Sequence, residues 1–250
     1  MKQKLGILDW GIGGVSVYKL VKERLGDGVA VVYFSDTGAV PYGKMSRTEL
    51  VARLNKVVSF LRSKGVTHLI IGCNAASTAI PFLNREDIKI EGVIESAVEM
   101  TARLKPAKLA VIGGRRTILS GIYRRKFAKK GIKLSQRIAQ PLSGLIESGD
   151  VSSDKLRLES RKILAPIKNF SHILLACTHY PAITAVLKDF VSAKTVFLNP
   201  AGALVEKIAD WSLPKSGTDV FYTTGDTNAM KTAALNAFGV KIQNTEKIAI

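Results

Sequence analysis

The chain has 250 residues, 46% of them apolar and 7% aromatic, with a formal net charge of +17. That length can bury a full core, no apolar run nears the ~20 residues that cross a bilayer, and two cysteines cannot build a disulfide scaffold. The absence of CxxC and of any His/Cys cluster at ligand spacing argues against a zinc site.

In chain order, residues 5–11 (LGILDWG) suggest a strand and 13–25 (GGVSVYKLVKERL) a helix with apolar residues at helical spacing. The start lacks the long h-region and cleavage site of a secretory signal, so the cytoplasm is the expected location. Residues 29–36 are a strand, and 46–65 a helix with Ser46 as its cap, Glu49 three residues on, and Gly65 to end it. A strand over 67–73, a helix over 97–105 and a strand over 108–114 follow. Segment 114–137 holds nine Lys or Arg and no acid. It suggests a solvated helix face, with an anion or nucleic-acid patch as the alternative; beyond this charge nothing indicates nucleic acid. A helix over 152–167 and a strand over 171–177 come next, then strand 195–200, helix 202–212, strand 219–226 and helix 227–239. Short apolar strands that each lead into a helix predict an α/β protein with mainly parallel sheets flanked by helices.

The two cysteines share a setting. HLIIGCNAAS (68–77) and HILLACTHYP (172–181) both run from His through an apolar strand to Cys and a polar residue. Two α/β halves would account for this echo, as would chance similarity of strand composition. Ligands in open α/β sheets gather beyond the carboxyl ends of strands. Asp9, Asp36, Cys73 and Cys177 all stand there. A helix N-terminus following each cysteine would lower its pKa. One thiolate and one thiol could then exchange a proton with a carbon from opposite sides. Each cysteine by itself reads first as a small buried hydrophobe, the commoner fate of a free thiol. His68 and His172 precede strands as ordinary surface or hinge residues, whereas His179, two residues after Cys177, can polarise that thiol. The glycines of DWGIGG miss the GxGxxG register, and no GxxxxGK[ST] is present, so neither a dinucleotide nor ATP is indicated.

These motifs, in this order, resemble the cofactor-independent aspartate/glutamate racemases, and among them the glutamate racemases. The family's Asp-Ser-Gly-x-Gly-Gly is Asp9 to Gly14 here; its Asp-x4-Pro-Tyr-Gly is Asp36 to Gly43. Its Cys-Asn-Thr-Ala-Ser is Cys73 to Ser77, its Thr-x2-Ser-x2-Tyr is Thr117, Ser120 and Tyr123, and its Gly-Cys-Thr-His-Tyr-Pro is Ala176 to Pro181. The late Phe-Tyr-Thr-Thr-Gly-Asp is residues 221–226. The resemblance implies two similar domains, 1–95 with 206–250 and 96–205, with the active site in the cleft between them. It implies interconversion of L- and D-glutamate without a cofactor, D-glutamate serving peptidoglycan of the cell wall. Cys73 and Cys177 would be the acid and base, assisted by Asp9 and His179. Tyr42, Gly43, Asn74, Thr117 and Thr178 would hold the substrate, with Glu147 a further acid near the second cysteine. A homodimer is the protein partner implied.

Two positions depart from the pattern: Trp10 replaces a serine and Ala75 a threonine. Both changes remove a hydroxyl from the substrate shell. A racemase for aspartate or another amino acid is therefore the alternative, and a non-catalytic basic binding protein a third.

Overall fold

The computed structural model describes residues 4–85, 87–213 and 217–250. Its first part runs β1 (Lys4–Asp9), α1 (Val15–Leu25), β2 (Val31–Ser35), α2 (Arg47–Ser63), β3 (Val66–Ile71), α3 (Asn74–Ser77), β4 (Lys89–Gly92) and α4 (Val93–Arg103). A second run comprises β5 (Leu109–Gly113), α5 (Arg115–Leu119), α6 (Ile122–Ala128), β6 (Leu134–Ile138), α7 (Gln140–Glu147), α8 (Asp154–Leu164), β7 (His172–Ala176), α9 (Thr184–Lys188) and β8 (Val196–Leu198). The chain ends with α10 (Ala201–Ile208), β9 (Val220–Thr223), α11 (Thr227–Phe238) and β10 (Thr245–Lys247). Among the described residues no helix is long and apolar enough to cross a membrane.

The strands form two sheets, ordered β10-β9-β2-β1-β3-β4 and β6-β5-β7-β8, and every pairing is parallel. The protein is thus α/β, as its alternating pattern predicts. Each sheet contains the same four-strand order, with its first strand between its second and third. The echo noticed around the cysteines falls on equivalent strands, β3 and β7, each third in its set. In such a sheet the connections after the first and third strands leave on opposite sides, opening a crevice at their carboxyl ends.

Local signals explain most boundaries. Ser46 Oγ accepts from Glu49 N at 3.2 Å and Glu49 Oε2 accepts from Ser46 N at 2.7 Å, a reciprocal cap on α2. Gly65, at φ +84°, turns the chain out of that helix. Asp226 accepts from Ala229 N at 2.7 Å and caps α11. The basic segment 114–137 is no single helix face: it folds into α5, α6 and the edge strand β6. His68 and His172 lie within strands rather than before them, and His68 packs its ring on Trp211 at 5.1 Å.

One apolar cluster joins the two sheets. It includes Leu5 and Ile7 of β1, Val111 of β5, Leu174 of β7, Tyr123 and Phe127 of α6, and Leu204 and Ile208 of α10. Two further clusters lie on the outer sides of the sheets.

Candidate active site

Five residues on the carboxyl ends of strands, or just beyond them, meet at one cavity. Asp9 ends β1, Cys73 follows β3 by two residues, Gly114 follows β5, and Ala176 with Cys177 ends β7. The cavity holds about 300 Å³ and both cysteines are on its wall. Trp10, Tyr42, Gly43, Asn74, Ala75, Thr117, Thr178 and His179 also line it. Glu147 does not. It lies behind His179, near the second cysteine, and accepts a hydrogen bond from the imidazole. The sequence also passed over three polar side chains of the lining: Lys44, Gln140 and Ser143. Pro141 after Gln140 is a helix-start signal that would have marked the last two.

The two walls are tied by short polar contacts. Thr178, next to Cys177, donates through Oγ1 to Asp9 Oδ2 at 2.7 Å. Trp10 N donates to the other oxygen, Asp9 Oδ1, at 2.7 Å. The Trp10 indole N–H donates to Ala39 O at 3.2 Å, which fixes the ring against the cavity. Tyr123 donates to Asn74 Oδ1 at 2.6 Å, while the buried Asn74 Nδ2 has no partner among the described residues and can donate to a ligand. Tyr42 donates to Asp36 Oδ2 at 2.7 Å, and Arg53 grips both oxygens of Asp36 at 2.8 and 2.6 Å.

His179 lies between a thiol and a carboxylate. Its Nδ1 is 3.5 Å from Cys177 Sγ, and its Nε2 donates to Glu147 Oε2 at 2.6 Å. The same Glu147 oxygen accepts from Ile12 N at 2.9 Å. This crossing needs glycine. A methyl group at Gly11 would strike Glu147, and one at Gly13 would strike Thr178 and His179.

Electrostatics divides the two thiols. Burial pushes the Cys73 thiol well above its ordinary range, and the Asp9 charge adds to this; the N–H groups of Ala76 and Ala75 oppose them and lose. The lowered pKa expected from a following helix is therefore reversed at Cys73. The reason is that α3 has four residues, too few for a strong end field, while burial is the larger influence on the thiol. Burial weighs against protonation of His179, but Cys177 and Glu147 outweigh it and hold the imidazole well above its usual value. Burial raises the Asp9 carboxyl, against the pull of His179, Thr178 and Trp10 N–H. Cys73 thus rests as a thiol, and Cys177 has beside it a group able to exchange a proton with it.

Comparison with known proteins gives the family of the chain. Residues 5–208 match the sequence profile of the family described as Asp/Glu/Hydantoin racemase. The chain is 30% identical to a glutamate racemase of Thermoanaerobacter sp. strain X514, over 96% of this chain and 95% of that one. It is 34% identical to a glutamate racemase of Lactobacillus helveticus, over 89% and 88%. Its fold superposes on the crystal structure of glutamate racemase from Thermus thermophilus with a TM-score of 0.85 and 25% identity, covering 100% of this chain and 98% of that one.

Proposed function

Because the chain belongs to the Asp/Glu/hydantoin racemase family and is an amino-acid racemase, we propose that it interconverts L- and D-glutamate by proton transfer between Cys73 and Cys177. The observation that carries this reading is the placement of both thiols on one 300 Å³ cavity, each beyond the third strand of its own sheet. One sulfur, as thiolate, removes the Cα proton. The other, as thiol, delivers its proton to the opposite face. One proton leaves the substrate and one enters, so the reaction balances with no redox partner. Cys73, favoured as a thiol by its burial, donates to the carbon when Cys177 has removed the proton, and the thiolate so formed removes the proton in the reverse direction. His179 returns Cys177 to the required state by exchange across 3.5 Å, with Glu147 holding the imidazole. Asn74 Nδ2 supplies a donor to the substrate's carboxylate, and Thr178 steadies Asp9 between the walls. Lys44 on the cavity wall supports an acidic side chain on the substrate. We place the unit carrying Cys73 at 1–95 with 206–250 and that carrying Cys177 at 96–205; the strands composing each sheet support this division.

Trp10 favours a second reading. Its fixed indole and the methyl of Ala75 present apolar wall where hydroxyl donors would otherwise meet a polar substrate. A racemase of aspartate or of another amino acid fits that wall.

One experiment separates the readings. Pure protein is incubated with a panel of L-amino acids in deuterium oxide without added cofactor. Deuterium at Cα and the D-form of glutamate are expected; exchange confined to another amino acid selects the second reading. Cys73→Ala and Cys177→Ala should each lose at least about 10³-fold in rate, and full activity in either would end the two-thiol mechanism.

A further inference from the structure

Asn74 opens α3, the short turn that follows Cys73, and Thr78 directly succeeds it. Both ends of this turn are held from across the cleft. Tyr123 of α6 donates to Asn74 Oδ1 at 2.6 Å, and Arg116 of α5 donates through Nε to Thr78 Oγ1 at 3.3 Å. Thr78 Oγ1 in turn donates to Ala75 O at 2.7 Å. The N–H groups of Ala76 and Ala75 face the Cys73 thiol. Helices α5 and α6 both follow β5 of the four-stranded sheet, whose strand β7 leads to Cys177. A line of hydrogen bonds therefore runs from the half that carries Cys177 to the turn that seats Cys73.

Arg116 makes a second crossing. Its Nη1 donates to Met45 O at 2.7 Å, and Met45 directly follows residues 41–44 of the cavity wall. Both acceptors are neutral, and among the described residues Arg116 has no ion pair. Its surroundings oppose its charge: burial weighs most against the protonated form, and the charge of Arg47 adds to this. A partly buried cation without a counter-charge costs stability. A guanidinium fork reaches two separate acceptors where an ammonium offers only a point charge. A local cost of this kind belongs with function rather than with folding.

We propose that Arg116 is a positioning residue for racemisation: by tying Thr78 and Met45 to the opposite half, it fixes the Cys73 turn and the cavity wall against Cys177. The next residue, Thr117, lines the cavity, so a single turn of α5 faces the site and also grips the other half. Proton transfer at one carbon between two sulfurs tolerates little error in their separation; a misplacement of about 1 Å can cost roughly 10²-fold in rate. The assignment rests on the two-thiol reading but on no particular amino acid.

The test is a double-mutant cycle on the whole protein. It is read as kcat and KM with the amino acid that exchanges fastest in the deuterium panel, and as amide hydrogen exchange by mass spectrometry. Thr78→Val removes one tie and should lower kcat at least about tenfold, with KM within about twofold. Arg116→Met removes both ties, so it should lower kcat at least as far and raise KM as well. In Arg116→Met/Thr78→Val the loss in kcat should equal that of Arg116→Met alone, because the two groups act through one hydrogen bond. Amides of residues 74–78 should exchange at least about tenfold faster in each variant, while those of α2 keep their original rates and show the fold intact. If Arg116→Met does not fold, Thr78→Val carries the same expectation by itself. Losses that multiply in the double variant, or unchanged exchange at residues 74–78, would overturn the proposal. Full activity in Cys73→Ala ends the two-thiol reading and this assignment with it. Undiminished kcat in Thr78→Val, while both cysteines remain essential, ends this assignment alone.

Discussion

Glu147 Oε2 accepts two hydrogen bonds, from His179 Nε2 and from Ile12 N, and through them it governs a proton rather than a substrate. In Glu147→Gln the imidazolium loses its counter-charge. The pH at which His179 gives up its proton should fall, the alkaline limb of kcat should move to lower pH, and kcat should drop by about tenfold. The effect on folding has a definite sign. The folded pKa of His179 is raised above its unfolded value of ~6.5, so the stability it contributes is whole below that pH. That contribution is lost as pH climbs through the folded value, and urea midpoints across this range should decline less in the variant. The departures at Trp10 and Ala75 belong to the same scale. Trp10→Ser/Ala75→Thr restores two hydroxyls and should raise kcat/KM for glutamate relative to other amino acids; an unchanged substrate profile would show that neither side chain governs choice. Sequence alone marked Cys73, Cys177, Asp9 and His179 because each adjoins a strand end. It put Glu147 near the second cysteine without naming His179 as its partner, since a helix-end acid can face a ligand or a neighbouring side chain with the same spacing. It also misjudged the Cys73 thiol, whose desolvation depends on what the fold packs around it.

The loop after β2 shows how elements aim the site. Asp36 closes that strand, is fully buried, and is held by Arg53 of α2, Tyr42 and Thr224. Tyr42 and Gly43 on the cavity wall hang from this knot. Arg53→Met leaves the carboxylate without its cation and should cost about 3 kcal/mol in denaturant unfolding, with a rise in KM from the loosened Tyr42. The elements that carry the site were legible: β1, β3, β5 and β7 are apolar runs buried on both faces, and each was expected within a few residues. Three of the four edge strands, β4, β6 and β10, were not expected. An edge strand has a solvated side and can carry Ser, Gln and Arg, as β6 does in LSQRI, so its composition resembles that of a loop. Segment 114–137 was expected as one solvated helix face rather than as α5, α6 and β6 for a related reason: its basic residues mask the buried Thr117, Tyr123 and Phe127.

Across the whole molecule, the two sheets share apolar contacts through α4, α6 and α10 rather than meeting only at a polar seam. Residues of both sheets in one cluster should unfold together. Far- and near-ultraviolet circular dichroism should therefore trace a single coincident urea transition; two separated midpoints would show that the halves fold independently. The repetition of strand order could be suspected from the cysteine echo, but the pairing that proves it depends on which strands lie side by side, which local composition does not encode. The chain has two tryptophans. Trp10 forms part of the cavity wall with its indole pinned at Ala39, whereas Trp211 rests on His68 beneath Lys89, outside that wall. The protein consequently carries its own optical gauge. An amino acid entering the site displaces water from one indole and leaves the other as a steady reference, so occupancy can be followed by intrinsic emission without any attached dye.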